Sequence, residues 1–210
     1  MNPETLPRLS QLGVATVYEA SGREGWIDLP LIQLLPNSRV AGPARTVLCG
    51  QDDNLKVHAV IEQIQPGEVL VLSMPESAPV ALIGELLVTQ IKFRQAAAIL
   101  IDAAIRDVSE LLEMGLPIWT RYIRAKGATK TKIGALNQTL TVGGASISTG
   151  DIIVLDADGG VCVKRERVEE VLKASEARLT KENALREKLL AGQTSYDLHG
   201  LRDYVERSRK

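Results

Sequence analysis

Aromatic side chains are nearly missing from this chain: one Phe, two Trp and four Tyr among 210 residues, 3% in all. So thin a supply offers no stacking platform for single-stranded nucleic acid. Charge of one sign is lacking too. There are 25 Lys and Arg against 26 Asp and Glu, a net charge of -1, so there is no electrostatic footprint for nucleic acid or a membrane surface. No hydrophobic run approaches the length of a membrane span, and the opening MNPETLPRLS has no apolar core for a signal peptide. Cysteine is scarce. Cys49 and Cys162 stand far apart in apolar runs, which favours two buried free thiols in a reducing compartment. The expectation is a soluble, cytoplasmic protein with no nucleic-acid and no membrane partner.

What is present is an alternation of helix and strand signals, in a chain long enough for one domain with a sizeable core. An amphipathic helix is expected over Leu6 to Ala20, ending near Gly22. A strand from Arg39 to Cys49 follows, and its Gly42-Pro43 suggests an edge or a bulge. Asn54 can cap a short helix to Ile64, and Pro66-Gly67 turns the chain into a strand over Glu68 to Ser73. The loop MPESAP leads to a helix from Ile83 to Arg94, then a strand from Ala97 to Asp102. A short helix from Val108 to Met114 and a strand from Pro117 to Tyr122 come next. The remainder is richer in strands: TLTV, DIIVLDADG and GVCVKR, with Gly143-Gly144 and Asp158-Gly159-Gly160 as turns. A long charged helix from Arg165 to Leu190 and a short C-terminal helix complete a mixed α/β domain with a helical arm.

The chemistry concentrates at IDAAIRDV, residues 101–108, where a hydrophobic strand is followed by Arg106 and Asp107. Asp107 with Glu110 three residues later fits a capping box, and Arg106 just before it could be a plain surface residue. Ligands, however, gather at the carboxyl ends of strands in α/β sheets. A forked cation beside a carboxylate able to hold a hard metal ion suits an anionic substrate chelated to that metal. Upstream, GELL at residues 84–87 pairs a close-approach Gly84 with a helix start whose free N–H groups favour an anion. Glu85 there is also what any helix start prefers electrostatically. A helix from Glu85 and a parallel strand returning to Arg106-Asp107 bring these groups to one sheet edge.

The segment GELLVTQIKFRQAAAILIDAAIRDVSELLEMGLPIW resembles the signature of the class II pyruvate aldolases: an acidic residue, a twenty-residue gap, then Arg-Asp. These are the 4-hydroxy-4-methyl-2-oxoglutarate and 4-carboxy-4-hydroxy-2-oxoadipate aldolases, in the family that also holds the regulator of ribonuclease E activity. TVYEASGREG, RVAGPARTV, DNLKVHAVIEQIQPGEVLVL, TGDIIVLDADGGVCVKRE and KENALREKLLAGQTSYDLHGLRDYVE resemble further segments of that family, in order. The resemblance implies a layered α/β/β/α sandwich of the swivelling, phosphohistidine-domain-like type. Residues 1–164 would form the catalytic domain, and 165–210 an arm packing on a neighbouring subunit.

It also implies roles. Arg106 would contact the ketone oxygen and stabilise the pyruvate enolate, and Asp107 would hold Mg²⁺ or Mn²⁺ largely through water. Glu85, where many aldolases have Asp, would bind a metal-bound water. Gly84 and the backbone N–H groups of Leu86 and Leu87 would receive the pyruvyl carboxylate. Glu19 and Glu182 would reach a neighbouring subunit's site in a homotrimer or homohexamer and position the water that exchanges protons with substrate. The residues alone make Glu19 a surface partner of Arg23 four positions on. Glu182 continues the stripe of Val168, Leu172, Leu179 and Leu189 where an apolar residue is expected.

His58 reads as a packing residue and His199 has no assignable role. No Ser-His-Asp order, phosphate loop or zinc spacing is present. Two features depart from the family: Ala103 replaces the usual glycine of IDGAVRD, which could narrow the site, and PESAPVALIG is unusually apolar. The expected activity is cleavage of a 4-hydroxy-2-oxo di- or tricarboxylic acid to pyruvate and a second oxoacid, with oxaloacetate decarboxylation as a side activity. The alternatives are a dedicated oxaloacetate decarboxylase and a non-catalytic ribonuclease regulator. That branch typically lacks both the aspartate after the arginine and the long arm.

Overall fold

A computed structural model describes residues 2–208. Met1 and residues 209–210, included in the expected ranges 1–164 and 165–210, lie outside the described residues. Helix α1 (Thr5–Ala20) leads to β1 (Ile32–Gln33) and β2 (Val40–Leu48). Then come α2 (Leu55–Val60), extended by a 3-10 turn, and β3 (Val69–Ser73), β4 (Ala81–Ile83), α3 (Glu85–Phe93) and β5 (Ala98–Ile105). After α4 (Val108–Met114) the chain forms β6 (Ile118–Ile123), β7 (Ala135–Leu136), β8 (Leu140–Val142), β9 (Ala145–Ile147), β10 (Ile152–Asp156) and β11 (Gly159–Val163). Helices α5 (Val168–Leu190), α6 (Ser195–Leu198) and α7 (Leu201–Arg207) end the described chain.

Side-chain alternation along the strands builds the layers. Strands β2, β3, β5 and β6 run parallel in one sheet. Leu70, Leu72, Ile99 and Ile101 face one way, into a core with Val57, Val88, Ile91 and Leu111 of α2, α3 and α4. Val69, Val71, Ala98 and Leu100 face the other way, against Leu140, Ile147, Ile153 and Leu155. The same rule divides β10: Ile153 and Leu155 face that inter-strand core, while Ile152 and Val154 meet Leu9 and Val17 of α1 and Val168 and Val171 of α5. Because β10 pairs with β2, one nine-stranded sheet runs β1-β6-β5-β3-β2-β10-β11 and supplies both β layers between the helices, the α/β/β/α sandwich expected, with the C-terminal helices extending from its last layer.

Several local expectations give way. The strand expected to end at Asp102 runs on to Ile105. Asp102 is only 8% exposed and accepts from Ser77 Oγ and Arg121, which makes it a structural carboxylate within the strand. Gly42-Pro43 marks neither an edge nor a bulge. Ala44 donates to Asp151 O, so by alternation the Pro43 nitrogen faces the other flank, where β3 begins only opposite Ala44. The missing donor therefore costs no ladder bond. Asn54 does not cap α2; Asp53 does, its Oδ1 accepting from Leu55 N at 2.8 Å. Helix α1 is interrupted at Gly13 (φ 80°), where the Asp156 carboxylate accepts the Val14 N–H at 2.9 Å and caps the second segment. β1, β4 and β7 are too short to leave a periodic signal. Both cysteines are buried and free. Among the described residues no helix is long and apolar enough to cross a membrane.

Candidate active site

Strands β4 and β5 lie side by side and parallel, Ile83 opposite Ile105. Their carboxyl ends therefore emerge together, Gly84-Glu85 from one and Arg106-Asp107 from the other. The Arg106 N–H donates to Ile83 O at 3.2 Å and locks the two exits in register. Asp107 then takes a left-handed conformation (φ 61°, ψ 44°), uncommon for a non-glycine residue though one Asp tolerates. This turn aims its carboxylate away from α4, and no capping box forms. Oδ2 accepts instead from Glu85 N at 2.9 Å, at the start of α3, and lies 3.7 Å from Arg106 Nε. The structural explanation that the sequence offered for Asp107 is therefore replaced by a contact between the two strand exits.

Gly84 makes the contact possible. A β-carbon there would stand 2.3 Å from Asp107 Oδ2 and 3.0 Å from Arg106 Cγ, so any side chain would force the Asp107 carboxylate out of this position. With the Glu85 N–H taken by Asp107, the next donors at the helix start are those of Leu86 and Leu87, which have no intrahelical partner. Glu85 turns its side chain along its own helix, accepting from Thr89 Oγ1 at 3.0 Å. Asp107 Oδ1 accepts no hydrogen bond among the described residues, and it is open to a cation.

Gly84, Leu86, Leu87, Arg106 and Asp107 border one cleft, which the Glu85 side chain does not line; its floor is Ala81, Leu82 and Ile83 and its far wall is Asn54, His58, Gly127, Ala128 and Lys130. A shallower recess on the other side of Arg106 and Asp107 is bounded by Val108, Ile123 and Arg124. The far wall went unrecognised in the sequence because it is assembled from two distant segments. His58 is no packing residue; it is exposed and lines the cleft. Burial of part of its ring, and then the positive charge of Lys130, hold its pKa below the ordinary histidine value. Asn54 is 7% exposed; its Nδ2 donates to Leu82 O at 2.8 Å, while Oδ1 is buried without a partner among the described residues. Ala103 is fully buried in the helix-side core and does not itself line the cleft.

Glu19 and Glu182 are elsewhere. Glu182 pairs with Arg178 at 2.8 Å, Arg178 approaches Glu19 at 3.8 Å, and Arg23 donates to Glu19 at 3.2 Å. This cluster stands where α5 crosses α1, and neither glutamate borders the cleft of its own chain. The stripe expected on α5 is apolar only through Leu179; Leu189 is 40% exposed. His199 is exposed, at the end of α6.

Against known proteins, the RraA-like family model described as Aldolase/RraA matches residues 14–162. A Halalkalibacterium halodurans protein named "Putative 4-hydroxy-4-methyl-2-oxoglutarate aldolase" is 32% identical over 171 residues, covering 81% of this chain and 79% of that one. Among solved structures, Streptomyces coelicolor RraAS2, described as an unusual member of the RNase ES inhibitor RraA family, superposes with a TM-score of 0.77 at 28% identity, covering 89% of this chain and 97% of that one. An uncharacterised protein from Pseudomonas syringae pv. tomato shares the fold with a TM-score of 0.80 at 23% identity, covering 92% of this chain and 96% of the other.

Proposed function

Because this chain belongs to the RraA-like Aldolase/RraA family, we propose that it is a divalent-metal-dependent aldolase. It cleaves a 4-hydroxy-2-oxo di- or tricarboxylic acid to pyruvate and a second oxoacid. The observation that carries the reading is the meeting of guanidinium, open carboxylate and unpaired helix N–H groups at one pair of strand exits. The C1 carboxylate of the substrate sits on the Leu86 and Leu87 N–H groups. Arg106 donates to the C2 oxygen. When the C3–C4 bond breaks, its electron pair moves into the C2–C3 enolate, whose oxygen charge the guanidinium stabilises. C4 becomes a carbonyl as its hydroxyl proton leaves, and C3 takes a proton to give pyruvate.

The residues fit a hard divalent ion. Among the described residues no group of three or more His, Cys, Asp or Glu could cage a metal. Asp107 with an open Oδ1 and water suits Mg²⁺ or Mn²⁺, which keep much of their hydration. The bound ion would supply Lewis-acid polarisation of the substrate's oxo group. Glu85, at the start of α3 beside the cleft, would bind a water of that ion. Lys130 and His58 on the far wall suit a second carboxylate. Glu19 and Glu182, absent from their own chain's cleft, serve that of a neighbour and order the water that exchanges protons.

Decarboxylation of oxaloacetate passes through the same enolate, so it is the expected side activity. The likeness to RraAS2 favours a second reading, inhibition of a ribonuclease by contact, which needs neither metal nor Arg106. The test is pyruvate release from a panel of 4-hydroxy-2-oxoacids and oxaloacetate, with and without chelator. Release that chelator abolishes is expected. Full activity after metal removal would overturn the metal-dependent reading, and no pyruvate from any substrate would overturn the aldolase.

A further inference from the structure

Asp53 is a carboxylate with no part in this reaction, yet it is fully buried. Its Oδ1 holds the first N–H of α2, and its Oδ2 accepts from Thr129 Oγ1 at 2.7 Å and from the backbone N–H groups of Thr131 and Lys132. Burial by itself would raise its pKa, but these four donors outweigh it and hold the group well below the usual carboxylate range, anionic at any working pH. Around it the backbone is stitched further: Asn54 N donates to Thr129 O, Thr129 N to Asp52 O, and Ala81 N to Lys126 O. All this binding serves one piece of irregular chain, residues 126–132, laid across the start of α2. That piece carries Lys130, which borders the cleft and forms no ion pair among the described residues. It also carries Gly127, where a β-carbon would stand 2.9 Å from an Arg106 guanidinium nitrogen.

We propose that Asp53 is a positioning residue: it clamps residues 126–132 to the start of α2 so that Lys130 faces the cleft and binds the substrate's second carboxylate. The inference rests on the aldolase reading and deepens it, because it assigns selectivity for diacids to a group that touches no substrate. Replacing Asp53 by Asn preserves size but not chemistry. Whichever way the amide is turned, its NH₂ meets a backbone N–H that the carboxylate accepted, so the clamp opens.

The test compares kcat and KM for a 4-hydroxy-2-oxo diacid and for a monoacid lacking the second carboxylate, in Asp53→Asn, Lys130→Gln and the double variant. Losing one charge-assisted contact made equally in ground and transition states should raise KM for the diacid about tenfold, with kcat nearly unchanged. KM for the monoacid should move less than about threefold, and the double variant should be no worse than Lys130→Gln, since both act on one contact. Equal losses on both substrates, or additive losses in the double variant, would overturn the proposal. If Asp53→Asn fails to fold, Thr129→Val removes a single donor to the same carboxylate and must show the same diacid selectivity, smaller in size; no selectivity there overturns it as well. The imidazole resonances of His58 report independently of activity. Lys130 disfavours the protonated ring, so the titration midpoint should rise in Asp53→Asn as in Lys130→Gln. An unmoved midpoint means that Lys130 has not shifted, and the clamp falls. If the wild type releases no pyruvate from any substrate, the aldolase reading fails while the His58 midpoint still decides whether Asp53 places Lys130.

Discussion

A β-carbon at residue 84 would lie 2.3 Å from Asp107 Oδ2, although the backbone there (φ -149°) is extended and open to any residue. Gly84→Ala should therefore spare the fold and damage the site. Displacing Asp107 and Arg106 together should lower kcat/KM by about 10²-fold, the scale of one lost oxyanion donor, with the thermal midpoint nearly unchanged; wild-type kinetics would show that the two strand exits do not depend on the close approach. Arg106→Lys keeps the charge but loses the planar fork. Its rate should fall on the order of 10²–10³-fold, and a change within about threefold would make Arg106 structural. Cys49 and Cys162 offer a different kind of check. Burial above all, then the charges of Asp53 and Asp151 respectively, pushes each thiol up to about 12. Neither should react with an aromatic disulfide at neutral pH in the folded protein, and both should react after unfolding. Because the folded thiols hold protons that the unfolded chain releases near 9.0, this contribution to stability is fully present below that pH and is lost as pH rises toward 12.

At the scale of elements, long periodic segments match their expected bounds closely: α1, α3 and α5 begin and end within a few residues of where the apolar spacing and the Gly signals put them. Caps and strand exits do not. Asp107-Glu110 has the spacing of a capping box, but Asp107 spends its carboxylate on the neighbouring helix. Asn54 has the chemistry of a cap, but Asp53 performs it, since Asn54 is tied to Leu82. Local choices among competing hydrogen bonds are settled by whichever partner the fold brings near. Asp156 shows the same principle. It ends β10, in the strand expected there, and its carboxylate accepts from Val14 and from Asp158 and so joins α1 to the turn after β10. Asp156→Ala should cost about 1–2 kcal/mol, the value of a lost cap in a buried setting, read from the midpoint of chemical unfolding at constant slope. An unchanged midpoint would mean that the interruption at Gly13 needs no cap.

For the whole molecule, the arm raises the sharpest question. Beyond Leu179 no residue of α5 is buried, and Leu190 and Tyr204 are 76% and 72% exposed. Apolar surface displayed in this way favours packing on a second copy, and two glutamates expected in the reaction stand outside their own chain's cleft. If each site is shared, the protein is a closed cyclic oligomer, most simply a trimer or a pair of trimers. Arg106→Ala and Glu182→Gln, each nearly inactive, should recover activity when unfolded and refolded together, because some mixed interfaces join an intact Arg106 to an intact Glu182. A monomeric mass, or no recovery from oligomers shown to be mixed, would overturn the shared site.

The amino-acid order by itself determined the α/β class, the long helices, the buried thiols and the meeting of GELL with Arg106-Asp107. All of these follow from periodicity, or from one crossover between neighbouring strands. The far wall of the cleft was decided only by tertiary structure. Asn54, just before α2, and His58 within α2 reach it, and Gly127 and Lys130 come from an irregular segment with no period of its own, held there by a buried aspartate 76–79 residues away in the chain. Pairings at that separation depend on which surfaces the layers leave adjacent, and the side chains involved carry no local pattern that records it.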